Sequence, residues 1–264
     1  MKTIARQPDD PNRGQSRRAQ IVALITQRGF ATIELLAQQC GVTLQTVRRD
    51  LGQLSEEGKV ARFHGGAGLP SSVENIDYSA RKVLHLNEKK RIAQLVARHI
   101  PAHSSLFINI GTTTEAVARQ LLGHKGLQFV TNNLNVALLL ASNPEFEVVV
   151  AGGTVRCRDG GIVGQSTNDL IDQFRVDFAV IGISGIDLDG TLLDYDYDEV
   201  RATQSIINSA QRVFLVADHS KFGRRPMVRA GCITEVSALF TDQPPPQQIA
   251  DLMRAHDRKV CVAG

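Results

Sequence analysis

"TLQTVRRDLGQLSEEGKVARFHGGAG" (43–68) is the stretch whose reading decides the fold. Thr43 stands where an N-cap belongs, Val47, Leu51 and Leu54 recur at helical spacing, and Gly58 is a stop. The pattern predicts a helix over 44–57 with one buried stripe. Gln45, Arg48 and Arg49 then project near its N-terminal end, on or beside the opposite face. "KVARFHGGAG" (59–68) alternates briefly and ends in Gly-Gly, as a short strand and tight turn would. Upstream, Ile21, Leu24 and Ile25 mark a helix running from Arg17 towards Gly29. Thr32 can cap a second, "IELLAQQC", that stops at Gly41.

Three short helices followed by a hairpin suit a winged helix-turn-helix. Such a module presents the N-terminal residues of its last helix to base edges in the major groove. Arg matches guanine best there, and Gln matches adenine. Arg62 and His64 would sit on the wing, within reach of the phosphate backbone or minor groove, while Arg17 and Arg18 flank the first helix. An arginine pair alone is ordinary surface charge; the hairpin that follows is what favours nucleic acid. Charge adds a weaker hint. Residues 1–68 carry 10 Lys+Arg against 6 Asp+Glu, whereas the remainder carries 20 against 21.

The segment "TIELLAQQCGVTLQTVRRDLGQLSEEGKVARFHGGA" resembles the winged helix-turn-helix of the DeoR family of bacterial repressors. That resemblance implies that the TVRRDL helix is the reader and HGG the wing. The expected DNA-binding set is Arg17, Arg18, Thr43, Gln45, Thr46, Arg48, Arg49, Arg62, His64 and Gly65.

Beyond residue 68, "LPSSVENIDYSARK" (69–82) is polar and lacks periodicity, so 69–86 reads as a linker. "NEKKRIAQLVARHI" (87–100) reads as a helix, with Asn87 as its cap. Strands and helices then alternate. The strands are "SLFINI", "LQFVT", "FEVVVA", "FAVIGI", "RVFLVA", "SALFT" and "KVCVA"; "TTEAVARQLL" and "NNLNVALLLA" are amphipathic stretches between them. Near-continuous apolar strands separated by helices predict a mainly parallel α/β sheet covered on both faces, with ligands at the carboxyl ends of its strands. Those ends carry Gly111, Thr112, Thr113 and Thr114; Thr131, Asn132 and Asn133; Gly152 and Gly153; Ser184, Gly185 and Asp187; and Lys221. Each alone is an ordinary turn with capping residues. Together they suggest a pocket, in which the threonines and the helix N-terminus at 112 would hold a phosphate and Lys221 would add a point charge.

This half resembles the DeoR-family effector domain, itself similar to ribose-5-phosphate isomerase-like folds. The match is carried by "LFINIGTTTEAVA", "VTNNLNVA", "AGGTVRCRDGGIVG", "QFRVDFAVIGISGIDLDGTLLDYDYDEVR" and "VADHSKFGR". It implies a repressor that leaves operator DNA on binding a phosphorylated small molecule, sn-glycerol 3-phosphate in the branch matched. Where the family usually has an Asp before Ile-Gly-Thr-Thr, this chain has Asn109, which removes a charge and adds a donor. Asn109 joins the expected effector-binding set.

The expected organisation is a disordered leader at 1–15, a winged helix-turn-helix at 16–68, the linker, and an effector-binding sensor domain at 87–264. One reading helix covers one half-site, so a homodimer or homotetramer is implied. Four scattered cysteines without CxxC suit a reducing cytoplasm, and no apolar run approaches the ~18 residues that would span a membrane. No cofactor or metal is expected: His99 and His103 are separated by Pro101, and the acidic run Asp187, Asp189, Asp194, Asp196 and Asp198 lacks EF-hand spacing. "IDLDGTLLDYD" (186–196) offers an enzymatic alternative, a Mg²⁺-dependent phosphatase with Asp187 as nucleophile. Ser184-Gly185 intervenes between strand and nucleophile, and no later acidic pair completes a metal site. A sugar-phosphate isomerase is the other enzymatic alternative.

Overall fold

The computed structural model describes residues 11–28, 30–63, 66–68 and 78–264. The chain divides into two compact units, one ending at Ser71 and the other beginning at Ser72.

In the first unit, α1 (Pro11–Arg28) is followed by β1 (Phe30–Thr32), α2 (Ile33–Cys40), α3 (Leu44–Glu56), β2 (Ala61–Phe63) and β3 (Gly66–Gly68). Residues 11–15, expected in a leader, are thus the first turns of a helix. The local signals act as written. Thr32 and Thr43 accept from the backbone N–H of Leu35 and Thr46, and Gly41 turns the chain between α2 and α3 at φ 63°. The Gly-rich end of "KVARFHGGAG" is itself a strand: β3 pairs antiparallel with β2 and also with β1. Val47, Leu51 and Leu54 are buried with Ile21, Ile25 and Leu36 in a core of their own.

One charged group enters that core. Asp50, on the buried side of α3, is 3% exposed and pairs with Arg17 of α1, whose Nη2 donates at 3.2 Å. Arg18 Nη1 lies 3.8 Å away. The acid after the two exposed arginines therefore fixes α3 against α1.

The second unit opens with two helices, α4 (Tyr78–Val83) and α5 (Leu86–Ala97). Tyr78–Val83 falls inside the stretch read as a linker, and Tyr78 at its start is bonded to Glu115 and Asn135, 37 and 57 residues away. Helix α5 starts at an αL His85 without a side-chain cap, so Asn87 lies inside it rather than capping it. The order then runs β4 (Ser105–Ile108), α6 (Thr112–Leu121), β5 (Gln128–Thr131), α7 (Leu134–Leu140), β6 (Glu147–Val150), β7 (Thr154–Val155), β8 (Ile162–Val163), α8 (Gln165–Ile171) and β9 (Val176–Gly182). It continues with β10 (Gly185–Ile186), β11 (Thr191–Asp194), α9 (Tyr197–Asn208), β12 (Ala210–Val216), β13 (Val228–Cys232), β14 (Ala238–Thr241), α10 (Gln247–Ala255) and β15 (Lys259–Val262).

The seven expected strands form a single sheet in the order β15-β14-β12-β9-β4-β5-β6, every pair parallel. The two-residue period sends alternate side chains to opposite faces. Leu106, Ile108, Phe178, Val180 and Phe214 pack with α5, α6 and α7. Phe107, Ala179, Ile181, Val213 and Leu215 pack with α8, α9 and α10. The ring of Phe214 lies 5.3 Å from Phe178 and 4.9 Å from Phe240, tilted against each. Chain order reverses between β4 and β9: β4, β5 and β6 run to one edge, and β9, β12, β14 and β15 to the other. Two small antiparallel elements stand outside the sheet, the pair β7-β8 and the sheet β10-β11-β13. Among the described residues no helix is long and apolar enough to cross a membrane.

Two substitutions test this packing. Phe214→Ala should lower the stability of the second unit by roughly 3–5 kcal/mol. Asp50→Ala, which leaves Arg17 without its carboxylate at a partly exposed site, should cost the first unit roughly 1–3 kcal/mol. Urea unfolding followed by circular dichroism reads both, and an unchanged midpoint for Asp50→Ala would show that the ion pair does not hold α1 to α3.

Candidate functional site

In the first unit, Gln45, Arg48 and Arg49 are exposed along the N-terminal half of α3, and Arg62 is exposed on β2. Thr43 and Thr46 are joined hydroxyl to hydroxyl at 2.9 Å; they build the helix start. Arg17 and Arg18 are engaged with Asp50, a structural role the sequence reading missed because a buried acid inside "RRDL" has no local signature. His64 and Gly65, between β2 and β3 in the chain, lie outside the described residues.

In the second unit, a pocket lies at the reversal of strand order, where carboxyl ends diverge and ligands bind in open α/β sheets. Ile110, Gly111, Thr112 and Thr113 line it from the β4–α6 junction, Gly182, Ile183 and Ser184 from the end of β9, and Val216 and Lys221 from the end of β12. Arg81 of α4, Asp194 of β11 and Glu199 of α9 complete it. Gly111 holds φ 155°, and a Cβ there would come within 3.1 Å of Thr114 Oγ1; glycine lets the chain turn from strand into helix at this point. Thr112 and Thr113 bring to the pocket the first turn of α6, whose amides no intrahelical carbonyl can reach.

Of the expected effector residues, Gly111, Thr112, Thr113, Ser184 and Lys221 meet in this pocket. The others are placed elsewhere. Thr114 is fully buried, with Oγ1 at 2.9 and 2.7 Å from the carbonyl oxygens of Asn109 and Gly111. Thr131 donates to Ile108 O at 2.6 Å, tying β5 to β4. Asn132 donates to Ile162 O, and Asn133 caps α7. The carbonyl of Gly152 accepts from Thr167 at 2.7 Å, and Gly153 packs so tightly that a Cβ would meet Thr167 Oγ1 at 2.2 Å. Gly185 allows close passage of the Arg224 carbonyl, 2.5 Å from a hypothetical Cβ. Asn109, 2% exposed, accepts from Gly182 N–H at 3.0 Å and donates to Thr203 Oγ1 at 3.4 Å. Its amide thereby joins β4, β9 and α9 behind the pocket wall; a carboxylate would have no proton to give Thr203.

The phosphatase alternative fails on geometry. Asp187 sits in the turn between β10 and β11, its N–H bonded to Thr191 O and its carboxylate to Arg225 at 2.9 Å. Asp189 accepts from Thr191 N–H in the same turn. The DxDGT motif is a hairpin corner, not a nucleophile at the end of a parallel strand.

The electrostatics of the pocket are mixed. Burial pushes Lys221 down to about 7; Asp218 opposes this, while Arg224, Arg81 and Lys89 add to it. Burial and neighbouring Asp194 push Glu199 up to about 7, against the pull of Arg156. Asp194 is also raised by burial, although Tyr195 N–H and Ser184 bond to it and Lys221 and Arg81 lie near. Arg156 clamps the base of this wall, 2.7 Å from both Asp159 and Glu199. Cations and a helix N-terminus thus share one cavity with two carboxyl groups. Arg81 and Glu199 carry no phosphate-like signal in the sequence, and Asp194, at the end of β11, stands out there only as part of the acidic run 187–198.

Comparison with known proteins bears on both units. A family model described as the DeoR-like helix-turn-helix domain matches residues 17–73, and one for the DeoR C terminal sensor domain matches residues 84–243. The glycerol-3-phosphate regulon repressor of Escherichia coli strain K12 is 50% identical over 236 residues, covering 89% of this chain and 94% of that protein. The glycerol-3-phosphate regulon repressor of Haemophilus influenzae is 52% identical over 229 residues, covering 87% and 89%. The HTH-type transcriptional repressor CsqR of E. coli K12 is 45% identical, covering 88% and 89%. Among solved structures, ribose 5-phosphate isomerase A from Methanocaldococcus jannaschii superposes with a TM-score of 0.40 at 13% identity, over 52% of this chain and 55% of that one. With both units matched and half the residues shared along nearly the whole length, the chain belongs to the DeoR family: it is a DNA-binding transcriptional regulator and not an enzyme.

Proposed function

We propose that this protein represses transcription by occupying duplex operator DNA and leaves it when sn-glycerol 3-phosphate fills the pocket of the second unit. The observation that carries this reading is the pairing, in one chain, of an exposed Gln45-Arg48-Arg49 helix face with a pocket that can take a phosphate at one side and hydroxyl groups at the other. The amides at the start of α6, with Thr112, Thr113 and Lys221, suit the phosphate. Asp194 and Glu199 suit the hydroxyls of a polyol, which donate to carboxylates, and they disfavour a ligand carrying an acid there. The names of the relatives from E. coli and H. influenzae agree with a glycerol 3-phosphate regulon. Asn109 acts behind the wall, so its exchange for the family's Asp tunes β4 and α9 without replacing a ligand contact.

On DNA, Arg48, Arg49 and Gln45 read bases, Arg62 and His64 contact the backbone, and Arg17 and Arg18 hold the reading helix through Asp50. Because α3 spans one half-site, the working species is a homodimer or homotetramer in the cytoplasm.

Operator affinity measured by fluorescence anisotropy tests the reading face. Arg48→Ala or Arg49→Ala should weaken specific binding by roughly 1–3 kcal/mol and affect random DNA less; unchanged operator affinity in both would remove the assignment. Adding sn-glycerol 3-phosphate to the wild-type complex should release operator, and Lys221→Ala should bind operator normally but need far more effector.

The pH dependence of that release has a definite sign. Above about 7, Lys221 is neutral in the empty pocket and must take up a proton to meet the phosphate. Glu199, at about 7 as well, gains negative charge over the same range. Between about pH 7 and about pH 9, effector affinity should therefore fall, by up to roughly tenfold per unit. Isothermal titration calorimetry in buffers of different ionisation heat should show proton uptake; affinity that is flat across this range would contradict the role given to Lys221.

A further inference from the structure

Helix α4 is the first described element of the second unit, and its Arg81 lines the pocket. It is short, and Val83, Leu84 and Leu86 around its end are exposed at 74%, 39% and 44%. Little apolar burial holds it, and six residues are too few to be a stable helix alone. Polar bonds at its two ends place it instead. At the N-terminal end, Tyr78 Oη donates to Glu115 in the first turn of α6. Asn135 of α7 donates to Tyr78 Oη at 2.9 Å and to Asp159 O at 2.8 Å. At the C-terminal end, buried Lys89 of α5 donates to the carbonyls of Arg81 and of Leu84, the latter at 2.7 Å. Arg81, one turn after Tyr78, lines the pocket beside Thr112, Thr113 and Lys221.

We propose that Arg81 is an effector-contacting residue lent to the pocket by α4, and that the Tyr78–Glu115 bond turns the docking of α4 into the signal that releases operator DNA. This rests on the phosphate pocket of the proposed function. The charges give the ligand its leverage. Arg81 lies among Lys221, Lys89 and Arg224, and mutual repulsion helps push Lys221 and Lys89 below the ordinary lysine range. Asp194 offsets part of that repulsion in the empty pocket, and a phosphate dianion between α6, Lys221 and Arg81 outweighs the rest and favours the docked arginine. A ligand shifts an equilibrium only by preferring one state, and this arrangement supplies the preference. Glu115 belongs to the same first turn of α6 that receives the phosphate, so the ligand and Tyr78 meet on one element.

The two roles separate experimentally, with sn-glycerol 3-phosphate as the probe and the full chain throughout. Arg81→Ala should weaken binding in calorimetry roughly tenfold or more, the scale of one lost charge-assisted hydrogen bond, with Arg81→Lys recovering part of it. Tyr78→Phe keeps the ring and should bind the probe within about threefold of wild type. At equal pocket occupancy it should nevertheless release clearly less operator in anisotropy, as should Glu115→Gln. Hydrogen exchange of amides 78–84 should slow on ligand addition in wild type and not in Arg81→Ala, a readout that a merely structural arginine would not move. Unaltered binding by Arg81→Ala overturns the contact; normal release by Tyr78→Phe at equal occupancy overturns the coupling, with the pocket itself left standing. If wild type binds no phosphate ester, the reading of the pocket falls and this inference falls with it.

Discussion

The second unit depends on one topological constraint: the chain cannot continue across the sheet in one direction. From β4 it proceeds through β5 and β6 to one edge, then returns to begin again at β9. Right-handed crossovers place the helices of the two runs on opposite faces, so the connections leaving β4 and β9 part company. A crevice opens at their carboxyl ends with no side chain needed to create it. The chain then spends its special residues on that opening. Gly111, at φ 155°, permits the turn into α6, buried Thr114 locks that turn, and the amide of Asn109 bolts β4 to β9 and α9 underneath. The start of α6 is thereby tied to the ends of β4 and β9.

Much of this architecture was legible in the sequence. All seven strands of the main sheet were marked by apolar runs, and both caps and the buried stripe of the first unit were marked by Thr32, Thr43, Val47, Leu51 and Leu54. What escaped was short or held from afar. Strands of two residues such as β7, β8 and β10 have no period to detect. Helix α4 has no apolar face to betray it, since Glu115, Asn135 and Lys89 hold it from 8 to 57 residues away.

The site was legible in outline and blurred in detail, for a chemical reason. A threonine or asparagine at a strand end has the same groups whether it binds a ligand or satisfies the backbone. Thr112 and Thr113 face the pocket, while Thr114, Thr131 and Asn133, of the same residue types and in the same motifs, are consumed internally. Only the direction of the side chain separates them, and direction follows from packing. Charged wall residues were harder still. Glu199 arrives from a helix whose first turn also serves Arg156, and Arg81 arrives from the stretch read as a linker.

Perturbed protonation in a pocket is often taken as a sign of catalysis, yet the same property suits a sensor. Burying Lys221 and Glu199 without a ligand costs each some of its charge, as their displacement towards about 7 from opposite sides expresses. A phosphate beside Lys221 restores the ammonium. Hydroxyls of the proposed ligand can bond to Asp194 and Glu199 in either form, so the charge regained is that of Lys221. In the proposed complex the full set of contacts is made only when phosphate and hydroxyls arrive together, on one molecule of suitable length. An inorganic phosphate recovers one part and a simple polyol the other. Turnover would require one of these groups to exchange its proton with a substrate in every cycle. Arg156, fixed between Glu199 and Asp159, and Asp218, paired electrostatically with Lys221, work against that by holding each group in place. A site that recharges on binding and has nothing further to give is suited to report occupancy, and the difference between its empty and filled states is what a regulator has available to move its DNA-binding unit.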